Sequence, residues 1–481
     1  MYASVPTNKP LLKTPNQEHI LVIGAGLCGS LLALRMAQRG YKVTLMEKRP
    51  DLRKEVVDSG RSINLAFSDR GMKGLRLAGL EDKVLPLCIP MHGRMIHNTE
   101  GEQFMSPYSG RHEYINSISR EDLNIMLLDE CELMPQITMR FNQKCTGVNL
   151  ETAEATFEDY KTGETTTYQT DIVMGADGVG SALRKSMLDH RKFLFSYGQD
   201  FLTHGYKELS FPPKADGGFL VEKHALHIWP RGKDMMIALP NLDGSFTVTL
   251  FLSWDEGKDS FESLNTDEAV VDYFKREYPD ALALMPDLLE EFHANPTSPL
   301  GTIKCSPWHA YGKVLLLGDA AHGIVPFYGQ GMNSAFEDIY VLDQYLDQHA
   351  GDWKAVFKAY QEERKEDTDA IADLAVDNFH EMKAHTARPI FQEKRKLEIA
   401  FEEAFPTEYF SKYSLVTFRE DLRYSEAMRR GRVQDKAILN LIYDGKFTTD
   451  MSLRDKLDLM KQETRKMLHD EEVLEGLEEE D

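Results

Sequence analysis

The feature that most restricts this chain is a six-residue glycine loop, Gly24-Ala-Gly26-Leu27-Cys-Gly29. It is set between an apolar run, HILVI at 19–23, and a helical stretch, SLLALRMAQRG, that begins at Ser30. A second strand-like run, YKVTLMEK, closes on Glu47 and Lys48. Strand, glycine turn, helix and strand in that order make a βαβ unit, whose two strands must pair in parallel. The glycines permit a tight turn and let the backbone approach a pyrophosphate. The helix start supplies free N–H groups and positive potential, and an acidic residue about 20 positions on accepts from ribose hydroxyls. The glycines alone would be a weak sign; their place between strand and helix, with Glu47 behind, points to dinucleotide binding.

Two later turns are built alike. The run DIVM leads into Gly175-Ala-Asp177-Gly178 and then to Ser181 and Arg184 at the start of a helical stretch. Alone, this is equally an ordinary strand-to-helix turn. In the last third, GKVLLL delivers Gly318-Asp319-Ala-Ala-His322, with Pro326 close behind and then Gly329-Gln330-Gly331-Met332-Asn333. An acidic residue at a strand end is placed to hold a ribose or ribityl chain, and the following helix turns its positive end towards the same space. Such a helix end stabilises the negative charge that a reduced flavin carries.

Between these turns the pattern changes. Segments such as ALHIWP, MMIALP and SFTVTLFLSW, separated by glycine and proline turns, predict a second, antiparallel sheet over about 196–300, and residues 90–118 mix short strand signals with glycine and proline. Residues 61–86 read as helix and loop. ISREDLNIMLLDECEL reads as a helix with Ser119 as its N-cap, and from about 334 onwards the chain is helical and highly charged. The expected architecture is therefore α/β. A Rossmann-like dinucleotide-binding domain is assembled from 18–90, 119–195 and 301–345; an inserted antiparallel sheet domain comes from 91–118 and 196–300; a C-terminal helical domain spans 346–465. An extended N-terminus (1–17) and an acidic tail (466–481) flank them.

With 78 acidic against 56 basic residues, a formal charge of -22 argues against nucleic acid or anionic lipid as partner. The five cysteines form no CxxC pair, which suits a reducing cytoplasm and suggests neither disulfide framework nor zinc site. His92 and His97, like His224 and His227, lack further ligands at metal spacing, so no metal is expected. No GxSxG elbow is present. No apolar run reaches the ~18 residues a membrane span needs, and the opening stretch lacks the apolar core of a secretory signal.

GxGxxG, GADG and GDAAH in that order resemble the class A flavoprotein monooxygenases. GRSINLAFSDRG, GRMIH, HGYKEL, ALHIWP, ALPNLDGSFTVTLFL and PFYGQGMN further resemble segments of the kynurenine 3-monooxygenases, over residues from about 19 to about 432. The resemblance implies FAD as cofactor, NADPH as cosubstrate, and hydroxylation of L-kynurenine to 3-hydroxykynurenine by O₂ through a flavin C4a-hydroperoxide. That places the chain in tryptophan degradation towards quinolinate and NAD, with no catalytic side chain required. For FAD it implies Gly24, Gly26, Leu27, Gly29, Glu47, Lys48, Arg120, Asp177, Gly318, Asp319, Pro326, Gln330, Gly331, Met332 and Asn333. For the substrate it implies Arg94, Tyr108 and Tyr413 at the amino-acid end, with Asn378 and Met382 nearby. Leu226, Ile237, Leu239 and Phe251 would form the wall for the aromatic ring, and Phe327 would lie in the loop beside the flavin. The pattern suits the task, since a guanidinium offers paired donors to a carboxylate and phenols add donors without charge.

Two departures stand out. Tyr328 occupies a position where the family pattern places histidine, which is expected to alter packing or a hydrogen bond in the flavin loop. The chain also ends in charged helix where eukaryotic members carry an apolar anchoring segment, so a soluble, bacterial-type enzyme, monomer or homodimer, is expected. Two other readings stay open at this level: a related FAD hydroxylase of another aromatic acid, and a flavin-binding redox sensor without turnover. Substrate-dependent NADPH oxidation and product analysis separate them.

Overall fold

The computed structural model describes residues 17–55, 64–255, 257–349, 351–382 and 388–478, with side chains as far as His469. The opening segment to residue 16, most of the GRSINL portion of its motif and the side chains of the acidic tail lie outside the described residues.

The βαβ unit predicted at the start is present. Strand His19–Ile23 and strand Lys42–Met46 run parallel with helix Leu27–Gln38 between them. They sit in a six-stranded sheet ordered His309–Ala310, Val314–Leu316, Ile172–Gly175, His19–Ile23, Lys42–Met46 and Ile137–Arg140. Every pairing is parallel except the short edge hairpin at His309–Ala310. These strands are apolar almost throughout rather than alternating, because both faces of a parallel sheet are covered. The four central strands thus come from three separated parts of the chain, which is how an insertion leaves one domain intact. The first helix of the second βα unit is capped as expected: the Ser119 hydroxyl accepts from the Asp122 N–H at 3.2 Å.

The inserted sheet has seven strands, ordered Ser298–Ser306, Ser196–Phe211, Phe246–Ser253, Asp234–Pro240, Ala225–Arg231, Gly93–His97 and Gln103–Pro107. It is antiparallel except where Gly93–His97 meets Ala225–Arg231 in parallel register, Arg94 opposite Leu226. Those two strands come from separate excursions of the chain, so no hairpin dictates their direction. All eight residues of Phe246–Ser253 are buried, and the period of two sorts them between two cores. Val248, Leu250 and Leu252 pack with Trp229 and Met236 against the helices Asp267–Glu277 and Leu288–Ala294. Phe251, with Met235 and Ile237, faces Phe327, Tyr328 and helix Trp353–His380.

Three boundaries need correction. Strand Ser298–Ser306 belongs wholly to the inserted sheet by its pairing with Ser196–Phe211, so the division at 300/301 falls inside a strand. Residues 61–86 include a strand, Asn64–Phe67, which joins Ile115–Ser119 and Cys88–Met91 in a separate three-stranded sheet. This removes Ile115–Ser119 from the inserted sheet; alternation alone cannot tell one sheet from another. Finally, helix Leu453–Glu478 runs through residue 466, where a tail was expected to begin. Its Leu457 and Met460 are anchored against Phe401 and Ile438 while its charges face water.

Candidate active site

Parallel pairing decides where the three glycine motifs go. Ile23, Gly175 and Leu316 lie in register across three neighbouring strands, so the turns that follow them all emerge at one edge of the sheet. That edge, outside the carboxyl ends of the strands, is where open α/β sheets bind ligands. Gly24 adopts φ +97° and passes so close to the GADG turn that a Cβ would stand 2.5 Å from the Ala176 carbonyl oxygen. At Gly29 a Cβ would meet the Gly24 oxygen at 1.8 Å, whereas Gly26 has nothing within 4 Å. Two glycines therefore close the turn and the third opens onto free space, as a cradle for a pyrophosphate requires. Glu47 is buried and fixes the loop, one carboxylate oxygen accepting from the Ala25 N–H at 2.8 Å and the other from the backbone and Nε of Arg49 at 3.0 Å. Lys48 beside it is exposed.

Asp177 caps the helix Ala182–Asp189 through one oxygen, 2.6 Å from the Ala182 N–H. Its second oxygen is buried without a hydrogen-bond partner. Burial raises the carboxyl above the usual carboxylate range against those helix-end donors. An orphaned buried acceptor beside an open glycine cradle fits a bound polar ligand. Cys28 fills the gap between this loop and the GDAAH turn, 3.0 Å from where a Gly318 Cβ would lie, and burial pushes its thiol well above the ordinary range, which disfavours the reactive thiolate.

A buried charge network underlies the GDAAH turn. Asp338 accepts from the Gly318 N–H at 3.0 Å, from Arg364 Nε at 2.8 Å, and lies 2.6 Å from His322 Nε2. Burial alone would raise its carboxyl, but His322 and Arg364 hold it below the ordinary range. Arg364 also donates to Glu337 and Ser334. Of these residues only Gly318 and His322 belong to a recognisable motif. Asp319 is half-buried at the head of this turn. Gln330 and Asn333 are turned into the protein. Gln330 Oε1 accepts from the Tyr424 hydroxyl at 2.9 Å; Asn333 accepts from the Ser68 N–H and donates to the Ala66 and Gly329 carbonyls. The Asn333 amide is thus spent within the protein, and what it and its neighbours Gly331 and Met332 at the head of helix Gly331–His349 can offer a cofactor is backbone N–H groups. Arg120 is exposed at the start of its helix, and Pro326 opens a tight turn through Phe327 to Tyr328.

The substrate-side candidates come together on the face of the inserted sheet that looks towards this turn. Leu226 and Ile237 lie between two apolar clusters, one holding Tyr108 and Leu239, the other Phe251, Phe327 and Met382, and Tyr413 belongs to both. Phe327 packs on Phe251 and Phe379 with centroids 4.8 and 4.5 Å apart. Tyr108, Tyr413 and Tyr328 form a stacked column, with spacings of 5.4 and 5.6 Å and ring planes within 17° of parallel. Tyr328, the residue departing from the family pattern, extends that column. Asn378 donates to the Phe327 carbonyl at 2.5 Å and lies 3.3 Å from Met382 Sδ, so it braces the turn.

Arg94 leans over this column, its guanidinium 4.7 Å from the Tyr413 ring centroid and 5.6 Å from that of Tyr108. It forms no ion pair with any described carboxylate, and its buried Nε has no acceptor. The Tyr108 hydroxyl is likewise buried and unpartnered. Burial raises both phenols, with Arg94 opposing, so they stay protonated donors. A cation without a counter-ion among unspent donors is costly unless a ligand supplies the acceptor. The fully buried His97 and His227, set aside as metal ligands, instead bridge each other at 2.9 Å between the strand that bears Arg94 and its neighbour Ala225–Arg231, with Asp280 2.9 Å from His97.

The fold is that of an FAD-binding protein: the profile of the FAD binding domain family matches residues 17–375. Among solved structures, a tetrameric form of 2-methyl-3-hydroxypyridine-5-carboxylic acid oxygenase shares the fold, with a TM-score of 0.61 and 20% identity over 84% of this chain and 96% of that one. The chain belongs to the kynurenine 3-monooxygenase family. It is 46% identical over 446 residues to the kynurenine 3-monooxygenase of Myxococcus xanthus, covering 92% of this chain and 95% of the relative. It is 42% identical over 456 residues to that of Dictyostelium discoideum, covering 92% and 96%. No helix among the described residues is long and apolar enough to cross a membrane.

Proposed function

We propose that this protein hydroxylates L-kynurenine at C3, consuming NADPH and O₂, and that Arg94, Tyr108 and Tyr413 receive the amino-acid end of the substrate. The observation that carries the reading is Arg94, which has no carboxylate partner among the described residues and a buried Nε without an acceptor, set over buried Tyr108 and half-buried Tyr413 at the end of an apolar wall. A carboxylate would satisfy Arg94 Nε and the Tyr108 hydroxyl together, and charge-assisted bonds of this kind are the strong ones.

The glycine cradle, Glu47, Asp177, Asp319 and the head of helix Gly331–His349 would hold FAD. Bound there, FAD supplies the redox chemistry, taking reducing equivalents from NADPH and delivering one atom of O₂ to the ring. The chain's own groups orient and shield. Leu226, Ile237, Leu239 and Phe251 present an apolar surface that excludes water, while Arg94 fixes the far end of the substrate and so its ring. Phe327, braced by Asn378 through its carbonyl, sets the side of the pocket next to the GDAAH turn. Five free cysteines suit a cytoplasmic location, and the protein would work as a monomer or homodimer.

The test is incubation of flavin-loaded protein with NADPH, O₂ and L-kynurenine, with the product identified by mass spectrometry. A product one oxygen heavier, with the hydroxyl at C3, is expected. NADPH oxidation that ignores kynurenine would refute the proposal.

A further inference from the structure

Arg70 lies in the SDRG segment, for which no role was foreseen, and is completely buried on the helix Asp69–Leu77. Its guanidinium is fully engaged. Nε donates to the Val416 carbonyl at 2.7 Å, Nη2 to the carbonyls of Arg419 and Leu422 at 3.0 and 2.5 Å, and Nη1 to Glu337 at 3.2 Å. The same group lies 4.0 Å above the Tyr424 ring, and the Tyr424 hydroxyl donates to Gln330 at 2.9 Å.

These partners fall into two sets. Val416 is within the short helix Lys412–Thr417 that presents Tyr413, and Arg419 and Leu422 are in the segment leaving it. Glu337 and Gln330 lie at the head of the helix that follows the GDAAH turn, where Arg364 joins Glu337 to Asp338 and thence to Gly318. A six-residue helix has no stability of its own, so what places Tyr413 is what holds the helix at its two ends: Glu402 on Ser411 and Ser414 with Glu381 and Asp435 on Lys412 at the start, and Arg70 on the Val416 carbonyl and the segment beyond at the finish. One guanidinium therefore ties the element that would hold the substrate to the element that would hold the flavin.

We infer that Arg70 is a positioning residue that sets the distance and angle between the substrate's amino-acid end and the flavin turn, and with them the efficiency of oxygen transfer. This rests on Tyr413 acting with Arg94 in substrate recognition. Where the ring is misplaced, NADPH, H⁺ and O₂ are converted to NADP⁺ and hydrogen peroxide instead of product. A misplacement on the order of 1 Å costs about a hundredfold in a positioned reaction.

Arg70→Lys keeps a cation for Glu337 but has no fork to reach three carbonyls at once. In the flavin-loaded enzyme we expect KM for kynurenine to rise about tenfold or more, and product formed per NADPH to fall at least about twofold, with hydrogen peroxide making up the difference. FAD content should be unchanged, since Asp338 and Arg364 keep their grip on the flavin turn. A purely structural Arg70 would lower thermal stability and FAD content together and leave the product-to-NADPH ratio alone; that result overturns the inference. Tyr424→Phe, which removes one oxygen and the link to Gln330, covers the case in which Arg70→Lys does not fold. A fall in the same ratio is expected, and an unaltered ratio overturns the inference. Arg94→Ala run alongside separates the two readings. If it spares kynurenine affinity, the recognition reading fails; if it abolishes affinity while the Arg70 and Tyr424 variants stay coupled, only the Arg70 inference fails.

Discussion

Replacing Arg94 by alanine tests the substrate site most directly, because the structure sets opposite expectations for binding and for stability. Arg94 has no carboxylate partner among the described residues, and its Nε is buried without an acceptor. In the ligand-free protein its removal relieves an unsatisfied donor and gives up contacts with Tyr108 and Tyr413 worth about 0.5–2 kcal/mol. The two nearly cancel, so the thermal midpoint should hardly move. In the complex the variant loses a charge-assisted pair in a desolvated pocket, at a cost of about 2–5 kcal/mol. That corresponds to a loss of affinity of roughly thirtyfold to several thousandfold. The assay is titration of flavin-loaded protein with L-kynurenine, followed by the change in flavin absorbance, with FAD content measured on the same sample. Arg94→Lys, which keeps the charge but not the fork, should fall between. Undiminished affinity in Arg94→Ala, or loss of FAD together with affinity, would refute the assignment.

Three further expectations follow from local geometry. Gly29→Ala should give little folded protein because no Cβ fits 1.8 Å from the Gly24 oxygen, whereas Gly26→Ala, with open space at that position, should fold and lose affinity for FAD, as circular dichroism and visible absorbance would show. Asp338→Asn should yield protein poor in flavin and less stable by about 1.5–3 kcal/mol, since it removes one of the carboxylates facing the buried Arg364 and the carboxylate beside His322; absorbance per mole of protein and denaturant melts check this. Burial pushes His227 down to about 4 from its ordinary 6.5, so it stays neutral in the fold. Its contribution is complete above about pH 6.5 and is lost as pH falls through about 4, costing about 3 kcal/mol. His227→Asn should flatten that part of the stability-versus-pH curve, and an unchanged slope would count against this account.

The departure at Tyr328 shows how a sequence reading meets its limit. The residue type was visible and an altered contact in the flavin loop was expected, yet the contact itself, a ring stacked on Tyr413, depends on a helix more than eighty residues later. Arg70 and Glu337 were less legible still. Neither sits in a motif whose spacing implies a partner, and an arginine in a helical stretch is usually solvent-exposed. Gln330 and Asn333 were recognised by resemblance as cofactor positions, but the direction of their amides could be learned only from what surrounds them.

From the order of residues alone came the properties that depend on neighbours in the chain: a glycine turn between strand and helix, apolar runs with a period of two or none, a serine cap, and three recurring turns whose sequence resembles one family. These are short-range consequences of backbone sterics and burial. The tertiary structure decided what depends on distance in space. Parallel register brought Gly24, Asp177 and Asp319 to one edge, and a single parallel junction between distant strands put Arg94 opposite Leu226. The buried charges linking helix Lys412–Thr417 to the GDAAH turn belong to the same class, because an ion pair away from water is stable only when a particular packing supplies both partners at once.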